Sequence, residues 1–377
     1  MNARKFAQLD CLANLARSHK ERFPGGLWKI HTIYLGLEKP LLHPTPEDWN
    51  RRIERLQQWV STRPESITAR VALAEAYVSY AWDARGDGLS DTVSKSGWKL
   101  FGQRTAKSKQ ILKEALVLST KCPEWYVAMQ RVALAQGWQL SARQALLDEA
   151  VKFEPAYYYY YRLHATSVLP KWGGEKGEVE TFVAKSADAV GGGAGDILYF
   201  QVSSYLLCCQ YDEELKLSWP RIQRGFELLE KQSGASPENW NLMARAAASF
   251  NDPAVVNKML SRMGDQWSRE IWQTSAYFES IKDWAQQLAS LMNEPTAEEK
   301  AADANRHTAE GQRYQAAVDE KDSLVASAMP AIGGKRNCEI RDTLEHRQSG
   351  NGRTNIDRRH EPGWLMSFGE DGRVPPT

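Results

Sequence analysis

Serine, histidine, cysteine and arginine are where chemistry would be sought first in this 377-residue sequence. Ser96-Gly97-Trp98-Lys99 matches S-x-x-K, in which a helix-start serine is activated by a lysine one turn later. No Lys-Thr-Gly or Ser-Asp-Asn partner accompanies it, so the serine reads as a helix cap. There is no G-x-S-x-G elbow and no H-E-x-x-H zinc helix, since His360-Glu361 runs into Pro362. The stretch GGGAGD at 191–196 fits neither a dinucleotide fingerprint nor a phosphate loop and comes after a helical segment, so it reads as an inter-helix turn. Cys11, Cys122, Cys208, Cys209 and Cys338 have no metal-ligand spacing, and adjacent Cys208 and Cys209 read as two small apolar helix residues. His31 and His164 fall in aromatic helical segments, as hydrogen-bonded core residues would. No metal and no cofactor is implied, and the missing catalytic set points away from an enzyme.

Binding chemistry is better represented. Tyr157 to Tyr161 are five consecutive tyrosines. On a helix Tyr157 and Tyr161 share one face and are candidate ligand-facing hydroxyls, although packing explains most of the run. Each buried ring removes roughly 150–250 Å² from water, a sufficient reason for its presence. Lys171-Trp172-Gly173-Gly174 reads as a loop presenting Lys171 and Trp172 to a partner, or as a tryptophan plugging a gap between hairpins. Tyr77, Trp82 and Arg85 lie near one helix end, with Trp98 and Arg104 after them in the chain. Stacked hairpins would bring these five to one concave surface where arginine pairs a carboxylate. The plainer alternative is an arginine that caps helix carbonyls and stacks on tryptophan.

The elements that must position these residues are helices. Thr45-Pro46-Glu47-Asp48 supplies an N-cap hydroxyl, a proline at the first helical position and an acid at the third. Trp49, Ile53, Leu56 and Val60 then mark one helical face. Ala69, Leu73, Ala76, Tyr77, Tyr80 and Ala84 mark the next, which ends at Gly86 and Gly88. Further helices are expected near 95–118, 123–136, 141–153, from Pro155 through the tyrosines, and near 177–189, 196–209, 217–232, 237–250, 253–263 and 268–288. No period-2 run reads as a strand. Helices of this length are marginal alone in water, so each must bury its apolar stripe on a neighbour. The expected fold is all-α: an α-solenoid of antiparallel, tetratricopeptide-like helix hairpins.

Composition sets the remaining bounds. A net charge of +1 gives no reason to expect nucleic acid as partner. No run of eighteen apolar residues occurs, so no integral membrane segment is expected. The charged start, MNARKFAQLDCLANLARSHKERF, is unlike a signal peptide. The chain as given reads as cytoplasmic, or as exported if an upstream signal is missing. Thirteen of the 14 tryptophans lie at or before Trp284, which sets an aromatic body apart from the C-terminal remainder. The expected organisation is an N-terminal helical segment (1–44), a repeat array (45–290), a polar helix or linker (291–329) and a disordered tail (330–377). Residues 296–377 carry 12 Lys+Arg against 14 Asp+Glu, which excludes a basic nucleic-acid arm.

Four blocks, RFPGGLWKIHTIYLGLEKP, AWDARGDGLSDTVSKSGWKLF, YYYYYRLHATSVLPKWGGE and NWNLMARAAASFNDPAVVNKMLSRMGDQWSREIW, look like successive landmarks of an uncharacterised bacterial domain family with tetratricopeptide-like helices. The resemblance spans about residues 5–285. It implies an all-helical fold and no particular activity. The functional expectation is a scaffold or adaptor that holds a protein or peptide in an aromatic, arginine-lined groove. Two alternatives stand beside it: an enzyme whose site assembles from dispersed Glu, Arg and Tyr residues around one cavity, and a structural part of an envelope or secretion assembly.

Overall fold

A computed structural model describes residues 3–40, 44–86, 88, 90–209, 215–291 and 297–328. The first half of the chain forms α1 (Ala3–Ser18), α2 (Lys29–Glu38), α3 (Pro46–Thr62), α4 (Ile67–Arg85), α5 (Lys95–Glu114), α6 (Pro123–Ala135), α7 (Leu140–Phe153) and α8 (Tyr159–Ser167). The second half forms α9 (Glu178–Val190), α10 (Gly192–Cys209), α11 (Trp219–Ser233), α12 (Pro237–Ser249), α13 (Pro253–Met263), α14 (Arg269–Trp272), α15 (Ser275–Leu291) and α16 (Ala297–Ala328). The described residues are all-helical and contain no strand; one isolated bridge pairs Arg22 with Trp28. No described helix is long and apolar enough to cross a membrane. The segment 330–377, expected as a disordered tail, lies outside the described residues.

Local chemistry explains the helix starts. Thr45 and Asp48 form a reciprocal capping box, with Thr45 Oγ1 accepting from Asp48 N at 3.2 Å and Asp48 Oδ2 accepting from Thr45 N at 3.0 Å. Ser66, Ser236 and Asp252 cap α4, α12 and α13 one way only, their side-chain oxygens accepting from Ala69 N, Asn239 N and Val255 N. In α5 the cap is Ser94, whose hydroxyl accepts from Gly97 N at 3.0 Å, and Ser96 sits inside the first turn.

Consecutive helices pack together from α3 to α8, and α4 is buried almost all round because α2, α3, α5 and α6 surround it. The chain also closes on itself. The turn Pro24–Gly26 lies against α11, and Asn239 Nδ2 donates to Gly25 O at 3.0 Å across 214 residues. Gly25 has φ +80°, and a Cβ there would lie 2.5 Å from Ser236 Oγ, so only glycine fits. Helix α16 packs on α1, α2 and α13, and its Glu320 pairs with Lys29. In an open stack each hairpin touches only its neighbours; here the first and last thirds meet.

Four local expectations change. The segment 268–288 is two helices, parted at Gln273 with φ 66°, because Trp272 is turned inward and donates to Asn241 Oδ1 at 2.7 Å. The glycine run is a turn only at Gly191; α10 begins at Gly192, and Gly195 lets it approach α9 so closely that a Cβ would fall 2.1 Å from Ala187 O. The tyrosine helix starts at Tyr159 rather than Pro155, since 154–158 fold as turns closed by Tyr157 N on Glu154 O at 3.1 Å. Cys208 and Cys209, in the last turn of α10, are joined by a disulfide.

Candidate functional site

Helices α2, α4, α6, α8 and α10 surround a cavity of about 260 Å³. It is just smaller than the roughly 300–1,000 Å³ usual for small-molecule sites. It reaches the surface beside Leu35, which is 52% exposed. Trp82, Trp172, Tyr159 and Tyr205 give it aromatic walls, with Trp82 and Trp172 meeting edge to face at 6.4 Å. Glu38, Glu75, Glu124, Arg131, Arg162 and His31 give it charge and proton-transfer groups.

Arg131, on α6, reaches between α2 and α4. Its Nη2 donates to Glu38 Oε1 at 2.8 Å and to Ser79 Oγ at 3.0 Å, while Nη1 donates to Glu75 Oε2. Ser79 in turn donates to Glu38 Oε1. One guanidinium thus faces two buried carboxyls and compensates one of them. Burial pushes the Glu38 carboxyl up, but the Arg131 charge and the bonds from Arg131 and Ser79 outweigh it and hold Glu38 below the usual carboxylate range. Glu75 goes the other way: burial, helped by repulsion from Glu38 and Glu124 and only partly offset by Arg131, pushes it up to about 8. Glu75 is 2% exposed, and its Oε1 has no hydrogen-bond partner. A buried carboxyl oxygen left without a partner costs free energy on the order of 1–3 kcal/mol, so its retention against a cavity calls for an explanation.

The second group is centred on Glu124, at the start of α6. Its Oε1 accepts from Tyr157 Oη and lies 2.8 Å from His31 Nδ1. A proton on Nδ1 satisfies that contact and leaves the His31 Nε2 lone pair for other partners. The imidazole stacks on Tyr159 at 3.6 Å. Opposite in charge is Arg162 on α8, whose Nε donates to Gln201 O at 2.9 Å. Its guanidinium lies over the rings of Tyr158 and Tyr205 at 4.6 and 5.1 Å. Among the described residues no group of three or more His, Cys, Asp or Glu has the placement to hold a metal ion.

Of the residues singled out from sequence, Trp82 and Trp172 line this cavity. The others are spent elsewhere. Arg85 donates to Gly86 O and Gly88 O at 2.9 and 3.0 Å, with Trp82 and Trp98 within 5.6 Å of its guanidinium. Trp98 Nε1 donates to Ser90 O, and Arg104 donates to Tyr80 O at 2.7 Å while covering the Tyr80 ring. Tyr77 Oη accepts from Gln57. All five tyrosines are buried: Tyr157 serves Glu124, Tyr161 donates to Pro155 O at 3.1 Å, and Tyr159 alone of the run reaches the cavity. Lys171 stands in a 3₁₀ turn, Pro170–Trp172, whose last carbonyl accepts from Arg143. Sequence reasoning missed Glu38, Glu75, Glu124, Arg131 and Arg162. One signal was available: Glu75 interrupts VALAEAYV, a stretch apolar on every face, where an acid has no solvent to reach.

Compared with protein-family models, with curated proteins and with solved structures, the chain matches none.

Proposed function

We propose that this protein binds a small organic molecule in the cavity, and that the molecule brings a cationic, hydrogen-bond-donating group to Glu75. The observation that carries this reading is the buried Glu75 Oε1, unpartnered at the wall of an aromatic cavity. The charge inventory supports it. Arg131 stands between Glu38 and Glu75, so with both carboxyls ionised that group is one positive charge short. The raised proton affinity of Glu75 expresses that shortage, and an ammonium or amidinium would supply the missing charge. Aromatic walls add cation–π attraction.

Calorimetry with n-butylammonium, benzylammonium and agmatine, against butyrate and benzoate, tests the reading. At least one cation should bind wild type, with affinity rising as pH goes from 6 to 8 and Glu75 loses its proton. Glu75→Gln should remove that binding and its pH dependence. Binding of the carboxylates alone, or of cations equally to Glu75→Gln, would contradict it.

Catalysis is a second reading, favoured by the His31–Glu124 contact. A histidine whose Nδ1 is held by a carboxylate presents Nε2 as a general base, the base-and-orienter pairing of many hydrolases. It would realise the enzyme alternative built from dispersed residues. Turnover of small aminoacyl nitrophenyl esters that disappears in His31→Gln would support it.

The scaffold reading keeps one support, the hairpin-by-hairpin contacts of α3 to α8, which also favour a tetratricopeptide-like origin for that part. Against an open groove stand the closure between residues 24–26 and α11, and the internal duties of Arg85, Arg104 and Tyr77.

A further inference from the structure

The cavity holds a second unmatched group, of the opposite sign. Arg162 lines it, yet no described acidic side chain forms an ion pair with it. Its Nε is committed to Gln201 O, and the rings of Tyr158, Tyr159 and Tyr205 lie 4.6, 5.9 and 5.1 Å from its guanidinium carbon. These contacts fix the plane of the guanidinium without using its two Nη groups. A guanidinium held by one bond and by ring faces is pre-organised to take a planar oxyanion in a forked pair. Two carboxylates of the lining are already engaged: Glu38 by Arg131 and Ser79, Glu124 by Tyr157 and His31.

We infer that the ligand is zwitterionic, a small molecule of the amino-acid class whose ammonium group meets Glu75 and whose carboxylate meets Arg162. This rests on the cation-binding reading above and deepens it. The argument is one of charge matching in a confined space. The lining offers one carboxyl oxygen lacking a donor and one guanidinium lacking an anion, on different helices, α4 and α8, across the same aromatic cavity. A simple amine would satisfy the first and leave the second; a simple acid would do the reverse. A molecule with both charges satisfies both, and its own charges sum to zero. The size limit points the same way, since about 260 Å³ admits a single amino acid more readily than a peptide. The aromatic walls between the charged ends would receive the side chain.

The test uses matched series on the full chain by calorimetry at pH 8: leucine, phenylalanine and arginine, each beside its methyl ester and its decarboxylated amine. For at least one member the free amino acid should bind ten-fold or more tightly than both the ester and the amine. In Arg162→Gln that advantage should vanish while the amine still binds, which also shows that the variant is folded. Arg162→Lys should recover only part of it, because the fork geometry is lost. If amines bind but no free amino acid binds more tightly, or if Arg162→Gln keeps the advantage, the zwitterion inference fails and cation binding stands. If neither amines nor amino acids bind, both fail.

Discussion

Arg262 and Arg131 each face two glutamates, and they do different work. Arg262, on α13, pairs with Glu230 of α11 at 2.8 Å and with Glu310 of α16 at 2.6 Å. Both carboxylates there have further relief, although Arg262 Nε is itself buried without a hydrogen-bond partner. Glu230 also accepts from Trp240 Nε1 at 2.7 Å, the Arg262 guanidinium lies over the Trp240 ring at 4.8 Å, and the Glu310 side chain keeps 21% of its surface in solvent. Arg131 has the same partners by type, but both its glutamates are nearly sealed, and Glu75, which lines the cavity, keeps one buried oxygen without a partner. The Arg262 cluster fastens α16 to the body. On the proposed reading, the Arg131 cluster keeps an electrostatic imbalance that a ligand relieves. Equal composition therefore says little about role; the unsatisfied atom and the space beside it say more.

The comparison can be pressed hardest at the arginines. Arg131→Met strands two buried carboxyls and should cost about 3–5 kcal/mol, read by urea unfolding, and should abolish ligand binding. Arg262→Met leaves Glu230 its tryptophan donor and Glu310 its solvent, so about 1–3 kcal/mol is expected, with ligand affinity unchanged. Equal losses, or a loss of binding only in Arg262→Met, would erase the distinction.

Next in size is the dependence of stability on pH. His164, buried near Arg143, is held neutral by desolvation first and by that arginine second, so its folded pKa falls to about 4. Between pH 6.5 and 4 the unfolded chain binds a proton that the folded chain refuses, and stability is lost as pH falls, on the order of 3 kcal/mol in all. Glu75 acts at the other side. Its folded pKa is raised to about 8, so from the ordinary carboxylate range up to that value the folded state holds a proton that the unfolded state has released. Stability then falls as pH rises through that window. Chemical denaturation from pH 4 to 9 should give a maximum between these slopes. His164→Gln should flatten the acid side and Glu75→Gln the alkaline side, with Glu75→Gln at least as stable as wild type at pH 8.

The smallest effect concerns the aromatic wall. Trp172→Leu keeps an apolar plug beside Trp82 but removes a ring face, so a change within about 1 kcal/mol in stability is expected, with ligand affinity down several-fold. Trp240→Leu, under Arg262, should do the opposite: lose stability and spare binding.

Much of the fold was legible in the sequence because helix ends are local chemistry. Thr45-Pro46 marks the start of α3, and the helices expected from 123, 237 and 253 begin at Pro123, Pro237 and Pro253. The hidden parts depend on distance. Asn239 meeting Gly25 leaves no trace in either neighbourhood. Nor does the cavity: Arg131 meets Glu75 across 56 residues and Glu38 across 93, with no motif to join them. Tryptophan and arginine drew attention by type, which found Trp82 and Trp172 but also Arg85 and Arg104, whose donors go to helix carbonyls and turns. Glutamates on helices are so often solvated that Glu38, Glu75 and Glu124 passed unremarked.

The most direct trial is a carbon-13 NMR titration of the Glu75 carboxyl in wild-type protein, assigned by its loss in Glu75→Gln, with and without a saturating organic ammonium ion. An uncompensated, dry carboxyl waiting for a cation should titrate near pH 8 alone and at a clearly lower pH once the cation is bound. An ordinary carboxylate midpoint that ignores the added ammonium would contradict the account.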